Sequence, residues 1–449
     1  DQSEVIRLEQ NYRSTATILG AANALIEHND ERLGKNLWSA GDKGEPINLY
    51  RAFNEIDEAR YVVEQVRKWI DEDHPPGEVA ILYRSNAQSR LFEENLLAQR
   101  IPYRVYGGQR FFERAEIKDA LGYLRLLANP ADDSAFERVV NHPPRGIGNR
   151  TMELLRAAAR ESDKTLHSAA ISLCASGQLK GRAHNALNGF LTLLLELDER
   201  STNTTLEEKI EQVLKSSRLI EHFSAERSDK AESRVENLQE LVSAARAFDE
   251  QQRDDFDPLS EFLANAALEA GDNQAEAGED CLQMMTLHSA KGLEFDQVFL
   301  VGVEEGLFPH QRSVEEQGRL EEERRLCYVG ITRARKQLTI IHAESRRLYG
   351  ETFFPQPSRF IREIPDEYIQ EIRLETPKQS SQFGKTSAAL ANAPRGQYWK
   401  GQAIRHKKFG DGVILAIDGE GEKAKIQINF KKVGKKWLIA GFANLESPS

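Results

Sequence analysis

Apolar positions recur along this chain in two rhythms, and the places where the rhythm changes divide it into segments. Up to residue 106, short β-type runs alternate with helical periods. Val5–Leu8 reads as a strand, and Ser14 stands where it can cap a helix whose Ile18, Ala22, Leu25 and Ile26 share one face. Ile47–Arg51 and Val79–Tyr83 read as strands. Ile56–Ile70 reads as a helix, and a further helix runs through Leu96. From Gly107 to Asp280 the period turns helical, most clearly where Val235, Leu238, Leu241, Val242, Ala245 and Phe248 line one face. Acidic stretches at 249–257 and 269–280 read as loops. Strands return at Leu282–Thr286, Gln297–Val301 and Leu338–His342, with a helix over Leu320–Thr332.

Alternation of strands and helices predicts an α/β fold, a parallel sheet with helices on its faces. The expected organisation is one such domain in two parts, 1–106 and 279–373, interrupted by an all-helical insertion over 107–278. Residues 374–396, rich in Ser, Ala, Gln, Pro and Gly, read as a linker. Residues 397–449 carry short strands at Ala403–Arg405, Val413–Ile417, Lys425–Phe430 and Trp437–Ala440. DGEGEK at 418–423 suits a hairpin loop, so this part reads as a small SH3-like β-barrel.

Composition narrows the setting. A chain of 449 residues is long enough for several domains. Nothing approaches the roughly 20 apolar residues of a membrane span, and no signal peptide opens the sequence. Cys174, Cys281 and Cys327 lie too far apart in sequence for a disulfide framework or a zinc site, which favours a reducing cytoplasm. The net charge of -11 is unevenly spread. Residues 397–449 hold ten Lys and Arg against five Asp and Glu, a net +5, which leaves -16 elsewhere. That basic tail, with Trp399, Phe409 and Trp437, suits a nucleic-acid or protein surface, although its aromatics also suit a barrel core.

Three segments carry chemistry. In LEQNYRST (8–15), Tyr12 offers a flat face for a base and Arg13 a fork of donors for phosphate, close to a helix start. In TLHSAKGLEFDQVFLVG (286–302), His288, Ser289 and Lys291 offer donors around Gly292, followed by Glu294. In EEERRLCYVGITRARKQLTII (321–341), Arg333 and Arg335 emerge at a helix end. Taken singly, each also suits an ordinary surface: an Arg beside a core Tyr, a solvated turn, or a helix whose basic end complements its dipole.

Together and in this order, the three segments resemble the motifs numbered IV, V and VI of superfamily 1 helicases. The chain is similar to the UvrD/PcrA/Rep group over nearly its whole length. That likeness includes ILYRSNAQSR (81–90), GGQRFFERAEIKDALGYLRLL (107–127), RGIGNRT (145–151) and FPHQRS (308–313). The resemblance implies a RecA-like motor domain (2A), a helical insertion (2B) and a Tudor-like tail. It implies ATP with Mg²⁺ as cofactor, bound between this domain and a partner domain. Tyr12 would stack on adenine, Arg13 and Arg333 would reach the γ-phosphate as arginine fingers, and Glu294 would contact the ribose and link nucleotide to DNA. Arg84, Asn86, His288 and His310 would contact single-stranded DNA. Tyr349, in SRRLYG after Arg346 and Arg347, would stack on the first base pair of a fork. Arg145, Gly146 and Gly148, with Arg150, would approach duplex phosphates.

No G-x-x-x-x-G-K-[ST] sequence is present: Lys35 in LGKN and Lys385 in FGKT lack the upstream glycine, and no strand ends in the acidic pair that holds Mg²⁺. Metal ligands are therefore expected in an N-terminal half that precedes Asp1. The expectation is the second motor half of an ATP-dependent 3′→5′ DNA helicase of repair or replication, inactive alone. Its partners would be single-stranded DNA and single-strand/duplex junctions, RNA polymerase, and mismatch or excision repair proteins, with no membrane. A non-enzymatic module binding DNA or RNA polymerase is the alternative. Half of a helicase–nuclease fits less well, because the tail is a small basic barrel with no acidic nuclease site.

Overall fold

The computed structural model describes residues 10–30, 38, 41–226, 228–250, 257–271, 279–316, 318–348 and 351–372, and the backbone of residues 403–406, 410–418, 425–430, 434–439 and 445–446. The strand expected at Val5–Leu8, Tyr349, the linker, Trp399, Phe409 and the Trp437 side chain lie outside the described residues. Two compact units are present, Asp1–Leu374 and Glu375–Ser449.

The first unit is built on seven strands: β1 Ile47–Ala52, β2 Val79–Tyr83, β3 Tyr103–Val105, β4 Leu282–Thr286, β5 Phe295–Leu300, β6 Ala334–Ala343 and, after a short antiparallel hairpin of β7 (Arg346–Leu348) and β8 (Glu351–Phe353), β9 Ile369–Ile372. The sheet order is β3-β4-β2-β5-β6-β1-β9, and every pairing in it is parallel. All its strands therefore start at one end of the sheet and finish at the other. The edge strands β3 and β9 escaped the sequence reading, since three or four residues are too few to display a period.

Alternating side chains feed two cores. Ala80, Leu82, Met285, Val298, Leu300 and Ile340 pack beneath the helices Ala16–Ile26 and Arg319–Ile331. Ile81, Tyr83, Phe299, Val301 and Ile341 pack on the other face, with Val62, Val66, Phe92 and Leu96 of helices Glu55–Asp71 and Ser89–Ala98. Burial on both faces explains why β2 is apolar without interruption. Asn54 caps helix Glu55–Asp71 by accepting the Asp57 N–H at 2.9 Å, and Glu55, Asp57 and Glu58 complement its N-terminal dipole.

At helix Ala16–Ile26 the cap differs from the expectation. Thr15 holds the cap position, and buried Ser14 turns its hydroxyl away to donate to the Ala334 carbonyl at 2.6 Å. A local sequence rule cannot foresee an acceptor more than 300 residues away in the chain.

Between β3 and β4 the described residues form a series of helices, the first starting at Ala115 and the last ending at Gly271. Its core gathers Phe111, Tyr123, Phe136, Phe190, Leu238 and Leu241, all buried. Helix Pro258–Gly271 continues into the stretch read as a loop from residue 269. Because β3 and β4 are hydrogen-bonded neighbours, the whole helical region is one crossover between adjacent parallel strands.

The second unit is an antiparallel sheet of β10 Ala403–His406, β11 Gly410–Asp418, β12 Lys425–Phe430, β13 Gly434–Ile439 and β14 Leu445–Glu446, in the order β13-β12-β11-β10-β14. Ile426 and Ile428 are buried. Among the described residues no pairing closes the sheet into the expected barrel.

Candidate functional site

Where β5 and β6 start, four sequence-flagged residues come together. Asn11 accepts the backbone N–H groups of Arg13 and Ser14 at 2.8 and 3.0 Å, folding the chain into a tight turn. The turn is stitched to the sheet by Ser14 and by the Thr15 N–H, which donates to the Arg335 carbonyl at 3.2 Å. Tyr12 is left 85% exposed. Arg13 Nε lies 2.5 Å from Glu294 Oε2, and that donor holds the Glu294 carboxyl below its usual range. The Phe295 N–H donates to the Arg333 carbonyl at 2.9 Å, which places Arg333 beside Glu294.

The neighbouring arginines of this segment are treated differently. Arg335 is paired with Asp296 at 2.7 Å and with Glu78. Arg333 is 8% exposed and donates to the carbonyls of Val329 (3.0 Å) and Leu293 (2.8 Å) and to the Thr332 hydroxyl (3.2 Å). Among the described residues no carboxylate stands within ion-pair distance of it. Burial, with the nearby Arg13 charge, lowers its affinity for its proton. A cation held by neutral acceptors is oriented without being neutralised, and so remains able to attract an anion.

Arg84, Asn86, His288 and His310 lie where strands finish. They line a cleft of about 970 Å³ that the helix Asp229–Asp249 of the helical region also lines. Arg84 forks onto the buried Glu323 at 2.7–3.0 Å. Glu323 also accepts the His310 N–H at 3.2 Å and the Ser313 hydroxyl at 3.3 Å. Arg84 is thus a structural partner as well as a cleft residue. Asn86 donates to the Ser233 hydroxyl at 3.3 Å. His288 is exposed. His310 lies 3.5 Å from Glu236 and 3.9 Å from Glu232, and the bond to Glu236 raises its pKa. Glu323, Glu232 and Glu236 were not legible as partners. Their only signal was membership of charged helical runs.

Arg346, which follows the strand β6, is buried. It is held by Glu58 and by Glu304, each at 2.6 Å, where it roots the hairpin β7–β8. In the helical region Gly146 adopts φ +86° and Gly148 precedes helix Asn149–Ser162 with open space at its Cα. The Arg145 guanidinium turns inward to the Val139 and Pro143 carbonyls and the Tyr123 hydroxyl, while Arg150 is exposed.

The segment 287–294 joins the two ends of the sheet. It leaves β4 beside the cleft and delivers Glu294 to the start of β5. Leu287 and Ala290 anchor it in the core, Gly292 takes φ +96°, and Leu287 packs on Gly330, where a Cβ would lie 2.6 Å from Leu287 Cδ2. A side chain at this position would have to displace Leu287, so glycine suits the close approach.

A family model described as the UvrD-like helicase C-terminal domain matches residues 6–345. The chain belongs to that family. A second model, the PcrA/UvrD tudor domain, matches residues 401–446, the five-stranded unit. Among curated UvrD-like relatives, DNA helicase II of Escherichia coli K12 is 52% identical over 447 residues, and that of Haemophilus influenzae is 51% identical over 448. The ATP-dependent DNA helicase PcrA of Bacillus subtilis 168 is 39% identical over 468. In each case 99% of this chain is covered, and the chain spans 62% of the relative's length.

Proposed function

We propose that this UvrD-like chain is the second motor half of an ATP-dependent 3′→5′ DNA helicase, one that translocates on single-stranded DNA and unwinds duplex in repair or replication. The observation that carries this is the convergence of Arg13, Arg333 and Glu294 at the end of the sheet away from the strand-finishing cleft, with Arg333 held, among the described residues, by neutral acceptors alone. In this reading residues 1–106 and 279–373 form the motor domain, 107–278 the insertion and 397–449 the Tudor-like unit.

The residues present fit a nucleoside triphosphate: an exposed aromatic face, two arginines and one carboxylate converge on one side. Tyr12 would stack on the base, Glu294 would meet the ribose, and Arg13 and Arg333 would face the γ-phosphate. Bound ATP with Mg²⁺ supplies the phosphoryl group whose release drives the motor. Its phosphate cradle and metal ligands would come from residues outside this sequence. The one three-ligand group among the described residues, Glu232, Glu236 and His310, is in the cleft at the other end, and Glu232 there is already paired with Arg312.

Arg13 must exchange Glu294 for phosphate, whereas Arg333 needs no exchange. Both engage only when a partner domain closes on this face, which makes their contribution depend on domain position. Segment 287–294 would carry that event to the cleft, where Asn86, His288 and His310 would hold a DNA strand. Tyr349 would stack at the fork, and Gly146, Gly148 and Arg150 would approach duplex phosphates. The tudor match favours a protein partner for the tail, with RNA polymerase and excision or mismatch repair proteins as the proposed class, in the cytoplasm.

The test is DNA-stimulated ATP hydrolysis. The 449-residue chain alone should show none, and robust turnover by it would sink the two-half reading. In the polypeptide carrying both halves, Tyr349→Ala should spare DNA-stimulated hydrolysis and reduce unwinding.

A further inference from the structure

Helix Asp229–Asp249 presents Glu232, Glu236 and Glu240 at successive four-residue steps, so the three carboxylates form one stripe about 6 Å apart. The stripe lies against the strand-finishing end of the sheet. At its far end it is anchored: Glu240 meets the buried Arg90 at 2.7 Å, and the neighbouring Asn237 accepts from Arg114 at 2.8 Å. At its near end it meets the cleft. Glu232 pairs with Arg312 at 3.0 Å, and Glu236 faces His310 at 3.5 Å and accepts from the Ser85 hydroxyl. The outer pair is the more solvated, with the Arg312 side chain 66% exposed and Glu232 28%, whereas His310 and Glu236 are each 16% exposed. A pair as exposed as Arg312 with Glu232 contributes little and exchanges readily.

We infer that Glu232 and Glu236 are intramolecular stand-ins for DNA phosphates, holding Arg312 and His310 until a single strand enters the cleft and takes their place. This rests on the reading of the cleft as the strand site. A phosphate brought to His310 or Arg312 meets a carboxylate already within 4 Å of each. Strand and stripe cannot both keep these cations at full strength, because like charges at that distance repel. Arg312 thereby joins the strand-binding residues. The exchange also loosens the ties between sheet and insertion while the Glu240 and Asn237 anchors remain.

The exchange has a particular salt signature. Each phosphate neutralised on a single strand releases counterions, with a slope of about −0.7 in log K against log salt. A carboxylate set free by the same event takes counterions up and offsets part of that release. The variant Glu232→Gln/Glu236→Gln, which keeps shape and removes charge, should therefore bind more tightly and show a steeper slope.

The experiment measures binding of a fluorescein-labelled oligothymidylate to the 449-residue chain by anisotropy, across a sodium chloride series. The double variant should bind at least about fivefold more tightly at low salt, with a slope steeper by up to about 1.4 for two exchanged contacts. In an Arg312→Gln background, Glu232→Gln should lose its effect. Unchanged affinity and slope in a folded double variant, alongside a wild-type chain that binds, would overturn this inference and leave the strand site standing. Failure of both proteins to bind would overturn the strand site as well.

Discussion

At the starting end of the sheet Arg333 is held by two carbonyls and a hydroxyl, whereas at the finishing end Arg84, His310 and Arg312 each face a carboxylate. The same fold thus prepares its cations in two ways, and Arg13 at the starting end, paired with Glu294, belongs with the second. Neutral acceptors fix direction and leave the field of the charge intact, which suits a contact that must act at once when an anion arrives. Carboxylate partners cancel the field and must be displaced, which suits a contact made and broken repeatedly. Glu323 differs again: it is buried, and its hold on Arg84 is part of the fold.

Four substitutions would break or sharpen this contrast. Arg333→Ala, in the polypeptide carrying both halves, should lower DNA-stimulated ATP hydrolysis by about 10³-fold or more and leave strand affinity nearly unchanged. Steady-state kinetics with a parallel anisotropy titration decides it, and equal loss of both would erase the division between the ends. Glu323→Ala should cost about 3 kcal/mol in denaturant unfolding, since it strands the Arg84 charge and the His310 N–H. A loss below about 1 kcal/mol would place Arg84 with the exchangeable cations. Gly330→Val should destabilise by about 1–3 kcal/mol through the clash with Leu287. In the two-half polypeptide it should also weaken the stimulation of hydrolysis by DNA more than basal hydrolysis.

The smallest effect concerns pH. Burial, reinforced by Glu304 and opposed by Arg346, pushes the Glu58 carboxyl from 4.5 up to about 7. The folded protein therefore holds this proton more tightly than the unfolded chain. The resulting stability is full below pH 4.5 and is lost as pH rises through 7. Thermal unfolding of the wild type should move to lower temperature between about pH 5 and 8, and Glu58→Gln should flatten that trend. An unchanged trend in the variant would assign the titration elsewhere.

Periodicity revealed the parallel sheet and its helical interruption, because long buried strands and amphipathic helices repeat their pattern within a few residues. Motif order assigned Arg13 and Glu294 to one nucleotide site, although they are separated by nearly 300 positions; that they pair with each other was seen only in the structure. Partner choice was not legible. Arg333 and Arg335 look alike in TRARK, yet one meets carbonyls and the other Asp296 and Glu78. Arg145 reads as DNA-facing and turns inward, because one acceptor that claims it, the Tyr123 hydroxyl, is distant in sequence. Ser14 diverges for the same reason.

The crossover 287–294 has one more consequence. Its eight residues could reach roughly 27 Å if fully extended, yet the five-residue strand it must pass is only about 17 Å long. The surplus contour length is taken up in turns closed by hydrogen bonds from Ser289, Ala290 and Leu293, and locked by the fit of Leu287 against Gly330. While that lock holds, the segment is a spacer of fixed length, and a shift at one end must appear at the other. If the lock and the hydrogen-bonded turns both open, up to about 10 Å of free play enters between the two ends. The fixed length of the spacer thus rests on those turns together with the close fit at Gly330.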